Sequence, residues 1–526
     1  MKDYTKKQKI LIILGVAVFI LIGSGLTYAG LMWATSNPIN IGLTSGCFEI
    51  NYTPGGAINN ANVEVMNEST LISNNKFTIT EGIALTYANI GIKSTCTIEG
   101  YGSLYLNVTS LSSAFTTGSS KGSLKYAILN NTSSSTTLTV AGLKGQSFDI
   151  VKTGTITSTG TKKILTKQLS NTSQYKYLIV FYIDGSKIGN DVIGASFAGN
   201  ISADAHQGKV PYEGLAKLIA NDTFKSTKTV TLNSVNYKYD DTHKLMEDTA
   251  GNIRYYGASP NNYIYFNCFD YSNQSSSTCE TWRIIGVFDK KVKIMRGSQI
   301  GTYSWDTSAD SINSGMGVNE WSQADLMKLL NSGYDSESVG GSLYWNAKSG
   351  TCYNGSKNTT GSCDFTSTGL KNDTTRNLIA ETAYYTRGHN TANIYVNAMY
   401  DKERVSGTVY SGHSTSWPGK VAVPYPSDYG YAADLSLCQK QLSSYSDATC
   451  TANNWMKSIL APNSGWLLTP NSGNAYRVWV VYSSGSVNYY DAACNAYGVA
   501  PVLSLISELD IRSGTGTSSS PYQLSV

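Results

Sequence analysis

Hydrophobic and polar positions along the chain fall into three regimes. Residues 10–34 form one uncharged, largely apolar run behind Lys2, Lys6, Lys7 and Lys9. A run of that length exceeds the roughly 20 residues needed to cross a bilayer, and the lysines keep its start inside. A cleaved signal peptide is the competing reading, because Thr27-Tyr28-Ala29 places small residues where a peptidase cuts. Either way, everything after residue 36 is exported.

Residues 37–205 change to short runs separated by Gly, Asn and Ser clusters. Strands are predicted over 47–52, 76–80, 103–108, 123–129, 137–140, 177–183 and 192–198. Many short strands with turn signals between them describe a β-sandwich, here a stalk domain. Residues 206–261 read as a connector, with a short helix over 213–219 and extended pieces over 229–239 and 252–256. From 262 to 526 the pattern becomes α+β. Strands are expected over 263–266, 282–288 and 292–295. One helix is expected over 323–330, capped by Ser322 with Leu326, Leu329 and Leu330 on one face. A second is expected over 374–385, with Leu378, Ile379 and Ala383 inward. The whole is mainly β: residues 1–36 as anchor or signal segment, then a sandwich, a connector, and a loop-rich lectin-like domain.

Within that last domain, residues 465–505 carry three apolar runs, 466–468, 476–482 and 499–505. Ser483-Ser484-Gly485-Ser486 supplies turn chemistry after the second run, so a hairpin follows. Residues 488–497 read as a loop of Asn, Tyr, Asp, Ala and Cys, and over 465–505 only Arg477 and Asp491 are charged. Tyrosine gives stiff amphipathic contact area at low entropy cost, and small polar residues add adaptable hydrogen bonds. The candidate ligand contacts are therefore Tyr476, Trp479, Tyr482, Asn488, Tyr489, Tyr490, Asp491, Asn495 and Tyr497. An ordinary polar surface loop is the rival reading, and Trp479 has a core alternative.

Composition sharpens the compartment. Only 14% of residues are charged, and 37 Tyr against 12 Phe gives most phenyl rings a polar tip. That profile fits extracellular β-structure. A net charge of +4 without a clustered basic face excludes nucleic acid as partner. Of nine cysteines, Cys268 with Cys279, Cys352 with Cys363, and Cys438 with Cys450 lie 11 or 12 positions apart, and each pair pins a loop. Cys47 with Cys96 would staple the sandwich, leaving Cys494 over. No CxxC spacing points to zinc.

Two motifs carry a resemblance. Residues 421–432, VAVPYPSDYGYA, resemble the RLPTEAEWEYA element of formylglycine-generating-enzyme-like domains, a branch of the C-type-lectin fold. Residues 498–503, GVAPVL, resemble the GxR strand that closes that fold. With Trp282-Arg283-Ile284-Ile285-Gly286 before them and the tail SGTGTSSSPYQL after them, the ordered set covers 262–526. It is similar to exported proteins of Gram-positive gut-type bacteria. The opening of the sandwich, GLTSGCFEINYT, resembles camelysin/TasA-like exported proteins. Some lectin-fold domains of this kind are targets of diversity-generating retroelements, in which adenine-directed mutagenesis randomises codons near the C-terminus. Every residue of 488–497 is reachable that way, and Cys494 then needs no structural role. One departure stands out: Ala500 sits where the family strand usually has Arg.

Chemistry is sparse by comparison. The enzymes of that family use a reactive cysteine pair with copper, and no such pair stands beside the closing strand. His206, His243, His389 and His413 sit in no recognisable nucleophile elbow. Asp306, Asp310 and Asn313 are weak calcium candidates. The expectation is a cell-surface receptor or adhesin, not an enzyme, without cofactor, whose partner is an extracellular protein or glycan. The alternative is a structural subunit of a surface fibre or biofilm matrix.

Overall fold

A computed structural model describes residues 50–58, 63–73, 76–92, 100–134, 137–170, 174–207, 212–307, 315–507 and 509–526. The apolar run 10–34, the pair Cys47 and Cys96, and the calcium candidates Asp310 and Asn313 lie outside the described residues. Among the described residues no helix is long and apolar enough to cross a membrane. The chain is mainly β and divides into two units, residues 1–210 and 211–526.

In the first unit the apolar run near 180 explains the architecture. It forms strand Gln174–Asp184, central in an eight-stranded sheet between Ala84–Ile92 and Leu124–Asn130. Tyr177, Ile179, Phe181 and Ile183 face a core shared with the three-stranded sheet Phe197–Gln207, Gly100–Leu111, Gly160–Leu169. Leu178, Val180 and Tyr182 face a second core, closed by Phe77, Leu143 and Phe148. A strand buried on both faces loses its alternation and reads as a continuous apolar run. Two expected elements are corrected. Residues 137–140 are not a strand; Val140–Leu143 is a helical turn whose N–H at Gly142 is accepted by the Thr139 hydroxyl at 3.2 Å. The strand expected over 192–198 starts only at Phe197.

In the second unit the expected connector is part of the fold. Lys228–Leu232, Val235–Asp240, Leu245–Glu247 and Ile253–Tyr255 run into the same ten-stranded sheet as Glu280–Phe288, Lys291–Arg296 and Val502–Leu505. Asn233 and Ser234, at φ 48° and 63°, make the tight hairpin turn between the first two. Leu215 and Ile219 pack in one core with Trp282 and Ile294. Burial of alternate residues such as Val230 and Leu232 on a half-exposed strand is what the connector reading overlooked.

The helix near 323 is Asp325–Leu330, with Leu326, Leu329 and Leu330 buried. Ser322 does not cap it; its hydroxyl donates to Glu320 Oε1 at 2.7 Å. The expected helix over 374–385 is corrected to a short helix, Asp373–Asn377, followed by strands Ile379–Ala380 and Thr382–Tyr385. Leu378 and Ile379 are buried as expected, whereas Ala383 is exposed. The three close-spaced disulfides are all formed. They indicate folding in an oxidising compartment outside the cytoplasm.

The PYPSDYGYA stretch forms helix Pro426–Tyr431, and Asp428 anchors it. Its carboxylate accepts the Tyr425 N–H at 3.1 Å, pairs with Arg254 at 3.1 Å and pairs with Lys293. Arg254 also holds Asp248 at 2.6 Å, and Glu403 pairs with Arg404 while accepting the Ser427 N–H at 2.9 Å. Three cations thus meet three carboxylates away from water. Burial pushes Asp428 up, but Lys293, Arg254 and Arg404 outweigh it and hold the carboxyl at about 2. For Lys293 burial dominates its pairing and brings the ammonium down to about 8. The cluster is buried but for the Arg404 side chain, which is 11% exposed, so its part is to lock helices Val396–Arg404 and Pro426–Tyr431 onto the sheet.

Candidate functional site

A five-stranded sheet builds the candidate surface, in the order Thr302–Ser304, Ala496–Gly498, Gly465–Pro470, Arg477–Val481, Val487–Asp491. The hairpin forms as its turn residues predict. Val481 pairs with Val487, and Gly485 at φ 94° closes the turn, with its N–H donating to the Tyr482 carbonyl at 2.8 Å. The expected loop over 488–497 is corrected. Residues up to Asp491 are the outgoing hairpin strand, Ala496–Gly498 is another strand, and only 492–495 turn between them. Backbone pairing wins because Val487 and Tyr489 cover the core containing Trp479 and Val481.

Val487–Asp491 ends the sheet, pairing among the described residues only with Arg477–Val481. Its side chains therefore divide between two faces. On one face Tyr490, with Tyr482, packs on the core of Val478 and Val480. Tyr490 meets Tyr497 edge to face at 5.6 Å, Tyr497 meets Trp466 at 4.9 Å, and Trp466 continues through Trp305 to Trp321. On the other face Tyr489 meets Trp479 at 5.9 Å, and Arg477 lies over both Tyr489 and Tyr476. Arg477 Nε donates to Asp491 Oδ1 at 3.0 Å, with the side chains 41% and 21% exposed. That hydrogen bond is the main cause holding Arg477 above its ordinary value. The pair was visible as the two charges of an uncharged stretch, and Arg477 belongs among the candidate contacts.

Trp479 does not. It is fully buried, and its indole N–H donates to the His389 carbonyl at 3.3 Å. Four successive buried residues, Val478 to Val481, show a strand covered on both sides, which its apolar run already signalled. Of the remaining candidates Asn488 is exposed, and Tyr476, Tyr482, Tyr489, Tyr490, Asp491, Asn495 and Tyr497 are half-buried. Burial pushes the Tyr497 phenol up to about 12. Asn319 fixes the approach to the hairpin by donating to the carbonyls of Asn471, Asn474 and Arg477 at 3.1, 2.9 and 2.9 Å.

Cys494 is a free thiol 3.4 Å from Met316 Sδ. Burial and then the Asp491 carboxylate push it up, which leaves it a weak nucleophile at neutral pH. Asp306 is buried and accepts the Val318 N–H at 2.6 Å. Among the described residues no three His, Cys, Asp or Glu side chains gather to hold a metal ion. Ala500 lies fully buried beside Ile285 and Trp455 in the same core as Trp479. No protein-family model matches the chain, and no curated protein matches it.

Proposed function

We propose that this is a cell-surface receptor or adhesin whose C-terminal unit is a C-type-lectin-like head that binds an extracellular protein or glycan. The contact surface is the rim of the hairpin: Tyr476, Arg477, Tyr482, Asn488, Tyr489, Tyr490, Asp491, Asn495 and Tyr497. What carries the reading is the edge strand Val487–Asp491, with half-exposed tyrosines on both its faces and, among the described residues, no strand beyond it. An open edge offers backbone hydrogen bonds, while rigid aromatic side chains on either face supply contact area. The head is anchored through residues 10–34, binds without a cofactor and performs no catalysis.

The test is binding of the full chain to arrays of extracellular proteins and glycans, beside an Asn488→Ala/Tyr489→Ala variant. A discrete set of partners lost in the variant supports the reading. Filaments containing this chain on cells, with no array partner, would establish the fibre subunit instead. Diversification is tested by sequencing the gene across many cells of one strain. Changes should gather at adenines in the rim codons and spare those of Val478 to Val481, Val487, Ala492 and Ala493, whose side chains are buried.

A further inference from the structure

A cleft of about 420 Å³ opens where strands Glu280–Phe288 and Lys291–Arg296 end, and it shares no residue with the hairpin rim. Tyr263, Glu280, Thr281, Arg283, Arg296, Gly297, Ser298, Ser458 and Ile459 line it. Arg283 is the feature that needs explaining. It is only 7% exposed, yet among the described residues it pairs with no carboxylate. Its Nε donates to Asn262 Oδ1 at 2.5 Å and its Nη2 reaches the Pro260 carbonyl at 3.4 Å, leaving Nη1 without a hydrogen bond among the described residues. The rings of Tyr263 and Trp455 lie against the guanidinium, their centroids 3.8 and 4.9 Å from it.

Burying an unpaired charge is costly, and a chain with no use for it gains by replacing it. Desolvation pushes this arginine down to about 10, so it remains a cation at neutral pH. The carboxylate of the cleft is already spent. Glu280 accepts from Arg296 Nε at 3.0 Å and from the Trp282 indole at 3.0 Å, with Lys371 4.0 Å away. Two guanidiniums against one engaged carboxylate leave the cleft positive. A guanidinium fixed by two rings and a side-chain amide loses little freedom on taking a bidentate anion. The rest of the lining is rich in hydroxyls, from Thr281, Ser298 and Ser458, over one aliphatic side chain, Ile459. That combination matches a ligand bearing one carboxylate and several hydroxyls.

We propose that the cleft is a second binding site, taking the carboxylate of an acidic monosaccharide on Arg283. The experiment titrates the full chain with sodium glucuronate, glucose and sodium sulfate at constant ionic strength, following heat and tryptophan fluorescence. Glucuronate should bind at least about tenfold more tightly than glucose or sulfate, a difference of about 1.4 kcal/mol. Arg283→Gln should weaken glucuronate by about tenfold or more. Because that residue is buried, Thr281→Glu provides a second variant: its site is exposed, so the fold is kept while the new carboxylate competes for Arg283. It too should lose glucuronate. The proposal is overturned if wild type binds no glucuronate, if glucose or sulfate binds equally well, or if Thr281→Glu binds as wild type does.

Discussion

Truncating Tyr497 to Ala separates packing from contact on the hairpin rim. The ring makes two edge-to-face contacts, with Trp466 at 4.9 Å and Tyr490 at 5.6 Å. Such pairs contribute about 0.5–1.5 kcal/mol each beyond burial. Half-burial of the ring adds roughly 1 kcal/mol, half of what a fully buried side chain of this size gains. The expected loss is therefore about 2–4 kcal/mol, the sum of those contributions. Asn488→Ala, at an exposed position on the same hairpin, should stay within about 0.5 kcal/mol of wild type. Urea unfolding of the full chain, followed by tryptophan fluorescence, reads both. Tyr497→Ala should lower the midpoint of the transition that reports Trp466 at an unchanged slope. Tyr490→Ala combined with it should cost less than the sum, since the two rings share a contact. A Tyr497→Ala midpoint equal to that of Asn488→Ala would refute the packing argument and return Tyr497 wholly to the displayed surface.

Three further outcomes follow from the same physics. Cys438→Ser with Cys450→Ser should cost about 3 kcal/mol in the same unfolding experiment, as opening a loop of this size does. Asp428 titrates lower in the folded chain than its ordinary value, so its contribution is fully present above about pH 4 and is lost as pH falls towards about 2. Asp428→Asn should remove that part of the acid transition and cost about 3–5 kcal/mol at neutral pH, because buried Lys293 loses its carboxylate and Arg254 keeps only Asp248; an acid transition identical to wild type would contradict it. Gly485→Ala should destabilise the hairpin by about 1–3 kcal/mol, since a side chain is strained at this backbone conformation. Its Cβ would also fall 2.8 Å from Thr451 Cγ2.

Legibility in the sequence tracked how local the determining physics is. The cysteine pairs and the Ser-Ser-Gly-Ser turn are specified within a dozen residues, and both formed. The run at 177–183 was legible as a strand, and its lack of alternation carried the further message that both its faces are covered. Strands Ala84–Ile92, Ser147–Thr155 and Gly160–Leu169 passed unnoticed because Thr, Lys, Gly and Asn dilute their apolar positions. Residues 374–385 show the opposite failure. Their apolar spacing fits a helix, but backbone pairing with Val502–Leu505 and Ser416–Gly419 overrides it. At the candidate site the polar character of 488–497 concealed a strand, because its half-buried tyrosines pack on the cores beneath while reading as polar residues. Arg283 was in view as part of a motif. A lone cation inside the apolar strand Trp282 to Val287 was the available signal, but no neighbour in sequence reveals that it lacks a carboxylate.

The central claim is that the rim of the hairpin touches the ligand. Photo-crosslinking addresses this most directly, with a photoreactive amino acid at Asn488 in one full-length protein and at exposed Lys348 in another. Each is irradiated with the partner that array binding identifies. Adducts from position 488 and none from 348 are expected. Equal adducts from both, or none from 488 while binding persists, would contradict the assignment of this surface.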